Sequence, residues 1–421
     1  MKNLINITLV ALMMVNISCE DKWFQEVDPL KDVAEDRELQ GRDALPFLVK
    51  GVLVEQMEVH AGLASSSDLI SDQIEFSQNV SNATFTSYDQ LDGRGRVDFA
   101  DDGSTYDDNF SCVGTYEGVG QLRKHADLLI ETVAELEISE ATSDDTSAYY
   151  TGYLCGGLAR AWYATYFALT DDGEPGSPID DSPMIYAGEM FADARSKYTA
   201  ALPYANDAQT RVLHSLIGKT YLLEENYADA ASHLEQGMTV GDAPYQSLYA
   251  PEYTNTYYQQ MGVGRTQGIV AYRFLDYIEA DPLEANRLPM TEAPTVGDQR
   301  HVQTKYDEGS DPVDVISWQE NHLMLAEVSL RGGSVAVSPA DAVNAVRAAH
   351  GLSALESVDL DVLYDERDKE LWCTGNRASD QTRWDRWHET SNVATDMEET
   401  IYGNWKYLSI SLFEKNNNPN L

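Results

Sequence analysis

The sequence predicts a mostly α-helical protein, with stacked helix pairs as a spine and a loop-rich second lobe beside it. Residues 207–238 read as a helix–turn–helix hairpin, and residues 317–352 repeat that plan. The stretches 50–110 and 239–312 are instead crowded with Ser, Asp, Gly, Pro and Tyr, the composition of long loops. The chain has 421 residues, 43% hydrophobic and 10% aromatic, enough to bury one large core. A single domain over 46–421 is expected.

The hairpin "DAQTRVLHSLIGKTYLLEENYADAASHLEQGM" is the clearest unit. Leu213, Ile217 and Tyr221 recur every four residues, and Tyr227, Ala230, Ala231, Leu234 and Met238 form a second stripe after the "EEN" break. This resembles a tetratricopeptide unit, with Gly218 and Ala230 small where the two helices cross and Tyr221 filling the groove beside them. His214 stands where that repeat carries Trp. In the second unit an apolar helix ends at Gly332-Gly333, and Ser338-Pro339 with Asp341 opens an Ala-rich helix bearing Ala342, Val343 and Val346. A third pair falls near 147–203. Its first helix, 147–170, is apolar on most faces and should be buried, with Trp162, Tyr163 and Tyr166 in the core. Upstream, 45–64 is a helix candidate. Residues 119–137 return to helical spacing, with Leu122, Leu128, Leu129, Val133 and Leu136 on one stripe. "GIVAYRFL" (268–275) reads as a strand.

The first 19 residues, "MKNLINITLVALMMVNISC", combine Lys2, a short apolar run and Cys19. The run is too short to span a bilayer, so it reads as an export signal. It is similar to a bacterial lipoprotein signal, which implies lipidation of Cys19. Asn16 stands where such signals usually carry Leu, and ordinary signal cleavage is the alternative. Residues 20–45 read as a tether. No later stretch is apolar enough to be transmembrane, so contact with the membrane would be through the lipid anchor only. Cys112, Cys155 and Cys373 make neither a disulfide framework nor a zinc spacing, and one disulfide among them stays open.

The chain carries 70 acidic and 29 basic residues, a net charge of −41. Such a surface repels phosphate, which argues against nucleic acid and anionic membranes as partners. Against that background "ERDKELWCTGNRASDQTRW" (366–384) is balanced in charge. Arg377, Asp380 and Arg383 are spaced to form an alternating ladder on one helix face, with Gly375 as the break before it and Trp384 as the anchor.

The order "ENHLMLAEVSLRGG", "AVNAVRAAHGL", "ERDKELWCTGNRASDQTRW" resembles the C-terminal part of SusD/RagB-family nutrient-binding lipoproteins. Their pattern Glu-Arg-x-x-Glu-Leu, Gly-x-Arg-x-x-Asp-x-x-Arg-Trp is matched by Glu366, Arg367, Glu370, Leu371, Gly375, Arg377, Asp380, Arg383 and Trp384. The ending "ISLFEKNNNPNL" is similar to the family's closing motif, with Ser411 where the family usually has Pro. The resemblance is sharp over roughly the last hundred residues and general over 50–145 and 239–312. It implies a SusD-like fold, a structural role for the balanced segment, and non-enzymatic binding of a nutrient oligomer at the outer-membrane cell surface. The oligomer would be an oligosaccharide or a peptide, most often a glycan. The resemblance also implies a TonB-dependent SusC-like transporter as partner.

Candidate ligand contacts are the loop tyrosines Tyr88, Tyr106, Tyr249, Tyr253, Tyr257 and Tyr258 and the Gly-flanked arginines Arg94, Arg96 and Arg265. Aromatic faces pack on sugar rings, and guanidinium forks donate to sugar oxygens or carboxylates. "DFADDGSTYDD" (98–108) offers oxygens for calcium but lacks the full loop signature, so it reads as a solvated Asp-rich turn, with calcium the alternative and no other cofactor expected. His-Glu-x-x-His, Gly-x-Ser-x-Gly and P-loop motifs are absent from the sequence, so no catalytic residue is assigned. A protein-binding helical-repeat adaptor and, more remotely, a glycan hydrolase are the other readings.

Overall fold

The computed structural model describes residues 41–76, 86–92, 108–136, 142–170, 173–293, 300–386 and 406–421. Its central element is helix α1 (Leu45–Ile70), which touches both the spine and the lobe. The helix runs six residues beyond the expected end at Ala64, and Ser65, Ser66, Ser67 and Asp68 are all buried within it. Residues 50–70 are thus helix and not part of a loop lobe, although the polar stretch 65–68 suggests loop. The small serines let neighbouring backbone come close, and Ser67 spends its hydroxyl on the Gly375 carbonyl at 3.0 Å. The tether also ends earlier than expected. Ala44 and Leu45 are in the core, and Arg42 pairs with buried Asp145.

The short helix α2 (Thr86–Leu91) precedes α3 (Phe110–Glu135), which starts on Asn109, whose side chain accepts from Ser111 N and Cys112 N. Helix α4 (Ser143–Tyr166) starts on a Thr142–Asp145 capping box, and α3 and α4 pack on each other and on α1. Leu122, Leu129 and Val133 of the α3 stripe are buried, whereas Leu128 turns outward at 51% exposure. Helix α4 is buried on most faces, as its composition requires, and Trp162, Tyr163 and Tyr166 lie in the core. Its partner is α5 (Ala187–Ala201), packed so closely that a Cβ on Gly157 would fall 2.5 Å from the Tyr198 ring.

The tetratricopeptide-like hairpin is α6 (Asp207–Leu223) and α7 (Tyr227–Leu234). A Cβ on Gly218 would lie 2.6 Å from Leu234, which is why the crossing needs glycine there, and Ala230 is fully buried. The lobe adds α8 (Thr256–Met261) and α9 (Arg273–Ala280). Only Gly268–Val270 of the expected strand is extended, paired antiparallel to Ile74–Phe76, and the segment turns helical from Arg273. The second helix pair is α10 (Trp318–Leu330) and α11 (Pro339–Ala349), with Gly332 at φ +91° ending the first and Ser338 capping the second. Buried Asn321 joins this pair to the hairpin: its amide donates to the Leu234 and Met238 carbonyls at 3.1 and 3.0 Å. The chain closes with α12 (Leu360–Glu370), α13 (Arg377–Trp384) and α14 (Leu412–Asn417). Ser411 caps α14 through Glu414 N, and Asn418 and Asn420 donate to the Ser182 and Asp181 carbonyls. Cys112, Cys155 and Cys373 are buried free thiols.

The balanced segment turns out to be a buried ionic hub. Glu366, Arg367, Asp368 and Lys369 of α12 are consecutive and all buried, each facing a different neighbour. Arg367 grips Asp380 of α13 with two 2.8 Å bonds. Asp368 takes two 2.8 Å bonds from Arg273 of α9. Glu366 binds Arg287 at 2.9 Å and Arg347 of α11 at 2.6 Å, and Lys369 lies 2.9 Å from Glu366 and 3.3 Å from Glu284. The ladder expected along α13 forms only in its second half. Arg383 bonds Asp380 at 2.8 Å, but Arg377 turns away to Asp72 at 2.7 Å and Asp368 at 3.4 Å. Two carboxylates from other elements outbid a neighbour on the same helix because they reach a guanidinium that is itself buried. Burial would lift the Asp380 carboxyl, but Arg367 and Arg383 outweigh it and hold it below the ordinary carboxylate value. Gly375 sits at φ +76° with Ala64 Cα 2.7 Å from where a Cβ would be, so α1 and the 373–375 turn meet backbone to backbone. Trp384 is half-buried, its indole donating to the Leu360 carbonyl at 3.1 Å and its face covered by Arg331 and Arg383.

Replacing Asp368 by Asn would leave Arg273 and Arg377 buried with one carboxylate fewer between them. Urea denaturation should show a loss of about 3–5 kcal/mol. A loss below 1 kcal/mol, the range of an exposed ion pair, would refute the hub.

Candidate functional site

The structure divides the loop tyrosines into two sets. Tyr245 and Tyr249 point inward onto α1. The Tyr245 hydroxyl donates to Gln56 Oε1 at 2.6 Å. The Tyr249 hydroxyl donates to the Met57 carbonyl at 2.8 Å and accepts from Ala61 N at 3.1 Å, so it sits between the two groups of one helical turn. Both hydrogen bonds of that phenol are spent on the frame. Tyr257 is fully buried: its ring stacks on Tyr306 at 5.1 Å and its hydroxyl donates to Asp68 at 2.5 Å. The expectation that Tyr257 contacts ligand is therefore corrected, while Tyr249 is half-buried with its hydroxyl committed to α1. The polar sequence around them suggests loop, but α8 and the strand Tyr245–Ser247 turn these rings toward α1.

Tyr253 is the tyrosine of this stretch that faces solvent, at 44% exposure, with Leu248 at 70% beside it in the chain. The backbone bridge between Ala250 and Tyr253 makes the tight turn that presents it. Immediately after, buried Asn255 fixes the turn to the rest of the lobe: it caps α8 through Tyr257 N at 2.8 Å and donates to the Asp311 carbonyl at 2.9 Å. Tyr258 is half-buried against the core, and its carbonyl accepts from Gly264 N at 3.1 Å, which folds the Val263–Arg265 turn back over α8. Tyr88 on α2 is half-buried too, and burial raises its hydroxyl above the ordinary phenol value, against the opposing charge of Arg265. Exposed Val263 and Arg265 lie on the turn that follows α8. Leu248 and Val263 carry no signal in the sequence, since lone apolar residues in polar loops are ordinary. Arg94, Arg96, Tyr106 and Cys19 lie outside the described residues, as does the Asp-rich turn apart from Asp108. Among the described residues no group of three His, Cys, Asp or Glu side chains is placed to hold a metal, and no helix is long and apolar enough to cross a membrane.

Beneath this surface Asp68 is a carboxyl with no exposure, and burial pushes it up to about 7 despite the Tyr257 hydroxyl, the Gly375 backbone and Lys305, which favour its charge. A raised carboxylate holds its proton more tightly when folded. Its contribution to stability is full below pH ~4 and is lost as pH rises to about 7. Asp68→Asn should therefore flatten the decline in melting temperature between pH 5 and 8 relative to the unsubstituted protein. Parallel melting curves for the two proteins over that range would show that Asp68 does not titrate there.

No family model and no curated protein matches the chain. Solved structures do. A laminarin-binding SusD-like protein superposes with a TM-score of 0.69 over 90% of this chain and 98% of its own, at 16% identity. A SusD superfamily protein from Bacteroides vulgatus ATCC 8482 gives 0.70 over 89% and 96%, at 13% identity. Surface glycan-binding protein A from Bacteroides uniformis gives 0.69 over 90% and 98%, at 13% identity. Likeness at such low identity is likeness of architecture, carried along nearly the whole length of both chains. The chain has the SusD-like fold.

Proposed function

We propose that the protein is a member of the SusD/RagB family that binds a glycan at the cell surface without cleaving it. In this reading it is anchored through Cys19 to the outer membrane and passes its ligand to a TonB-dependent SusC-like transporter. The observation that carries the reading is the shared fold along nine-tenths of the chain, since solved proteins with this fold include a laminarin-binding protein and a surface glycan-binding protein. The matched C-terminal motif supports it, because Glu366, Arg367, Asp380 and Arg383 all build the frame.

The lobe supplies contacts suited to a neutral polymer. Tyr253 offers an aromatic face to solvent, and Leu248 is exposed on the same loop. The acidic surface favours an uncharged ligand over an anionic one.

Affinity electrophoresis through gels containing laminarin and other soluble polysaccharides tests this. The protein should be retarded by at least one of them. Tyr253→Ala should reduce the retardation and leave the melting temperature unchanged. Tyr257→Ala should instead cost about 3–5 kcal/mol of stability, the range for deleting a buried aromatic ring. Retention by none of the polysaccharides, or release of reducing ends during the run, would overturn the proposal.

A further inference from the structure

A cavity of about 260 Å³ borders the ionic hub, between the C-terminus of α12 and the segments 286–289, 304–305 and 314–320. Arg287, Lys305, Asp314, Glu320, Glu370 and Thr374 supply its polar lining. Its space greatly exceeds that of one water and falls just short of a drug-sized pocket.

Several polar atoms of this lining have unused hydrogen-bonding capacity. Arg287 has 1% side-chain exposure, and its Nη1 makes no hydrogen bond. The nearest acid to that nitrogen is Glu370 Oε2 at 3.6 Å, too long for one. Glu370 Oε2 and Glu320 Oε1 are also buried and each meets one partner, His350 Nε2 at 2.9 Å and the Lys219 ammonium at 2.7 Å, which leaves a second lone pair on each oxygen. The Lys305 ammonium spends one hydrogen on the Trp372 carbonyl at 2.7 Å. Buried polar atoms are costly unless something hydrogen-bonds them. The lining thus combines an unpartnered donor, Arg287 Nη1, with carboxylate oxygens that can each accept once more.

That mixture selects the ligand's chemistry. A carboxylate placed at Arg287 would face Glu284, Glu366 and Glu370, which already surround it. An ammonium placed at the acids would face Lys219 and Lys305. A neutral polyol meets no like charge, because each hydroxyl both donates and accepts. We propose that this cavity is a second binding site, separate from the lobe, that takes one neutral sugar ring through Arg287, Lys305 and Glu370. The site does not require the exposed lobe to bind polymer, and the two are read by different measurements.

His350 lines the cavity and bonds Glu370, so its ring is an internal reporter. The full chain would be titrated with D-glucose, D-galactose and D-mannose, following the His350 ring resonances by NMR, with glycerol and glycine betaine as size and charge controls. At least one hexose should give a saturable shift that neither control gives. Lys305→Met should weaken that hexose about tenfold, the loss of one hydrogen bond to a charged group. Polysaccharide retention by the lobe should be unaffected. If Lys305→Met does not fold, the titration of the unsubstituted protein decides alone. Absence of a saturable His350 shift with every hexose, or saturation by glycine betaine instead, would overturn the proposal.

Discussion

The architecture depends on a set of charges that have been taken out of water. Five consecutive residues of α12, Glu366–Glu370, meet partners from α9, the 284–287 turn, α11 with the His350 that follows it, and α13. Arg367 holds α13, Asp368 holds α9, Glu366 holds α11 and the 284–287 turn, and Arg377 returns from α13 to Asp72 just past α1. Each ion would be costly to bury alone, and each is tolerable because opposite charges meet it with aligned hydrogen bonds. Apolar packing is permissive about register. A guanidinium that must meet a particular carboxylate two-on-two is not, so the hub sets the angle and depth at which the lobe seats against the spine.

The junction of lobe and spine lies over the middle of α1 and its C-terminal end. Tyr245 and Tyr249 bond the helix midway, Tyr257 reaches Asp68 near its end, and Gly375 lets the turn after α12 touch Ala64. These contacts make the lobe a continuation of the core. They leave the turn at 248–253 and the exposed turn at 263–265 as outward surfaces. Recognition and framework are interleaved within one short stretch, with Tyr253 facing out and Tyr257, four residues later, facing in.

The helical spine was legible because its signals are local. Gly218, Ala230 and the four-residue stripes of the hairpin are read from neighbours in sequence, and the Ser338 cap and Gly332 stop are equally short-range. The C-terminal motif could be read as framework because paired charges at helical spacing in an acidic chain call for partners. The candidate site was only partly legible. Tyr249, Tyr253, Tyr257 and Tyr258 look alike in a polar, Tyr-rich stretch, and residues 65–70 look like loop although they complete a buried helix.

The sequence by itself determined the paired helices of the spine, where the hairpin helices cross closely, and that a balanced run of charge must find partners inside an acidic protein. Local spacing and side-chain size decide those matters. Only the tertiary structure decided which carboxylate each arginine meets and which tyrosine looks out. Arg377 could pair with Asp380 three residues on, yet it turns to Asp72, 305 residues back in the chain. Choices of that kind depend on distances between elements that no window of sequence contains.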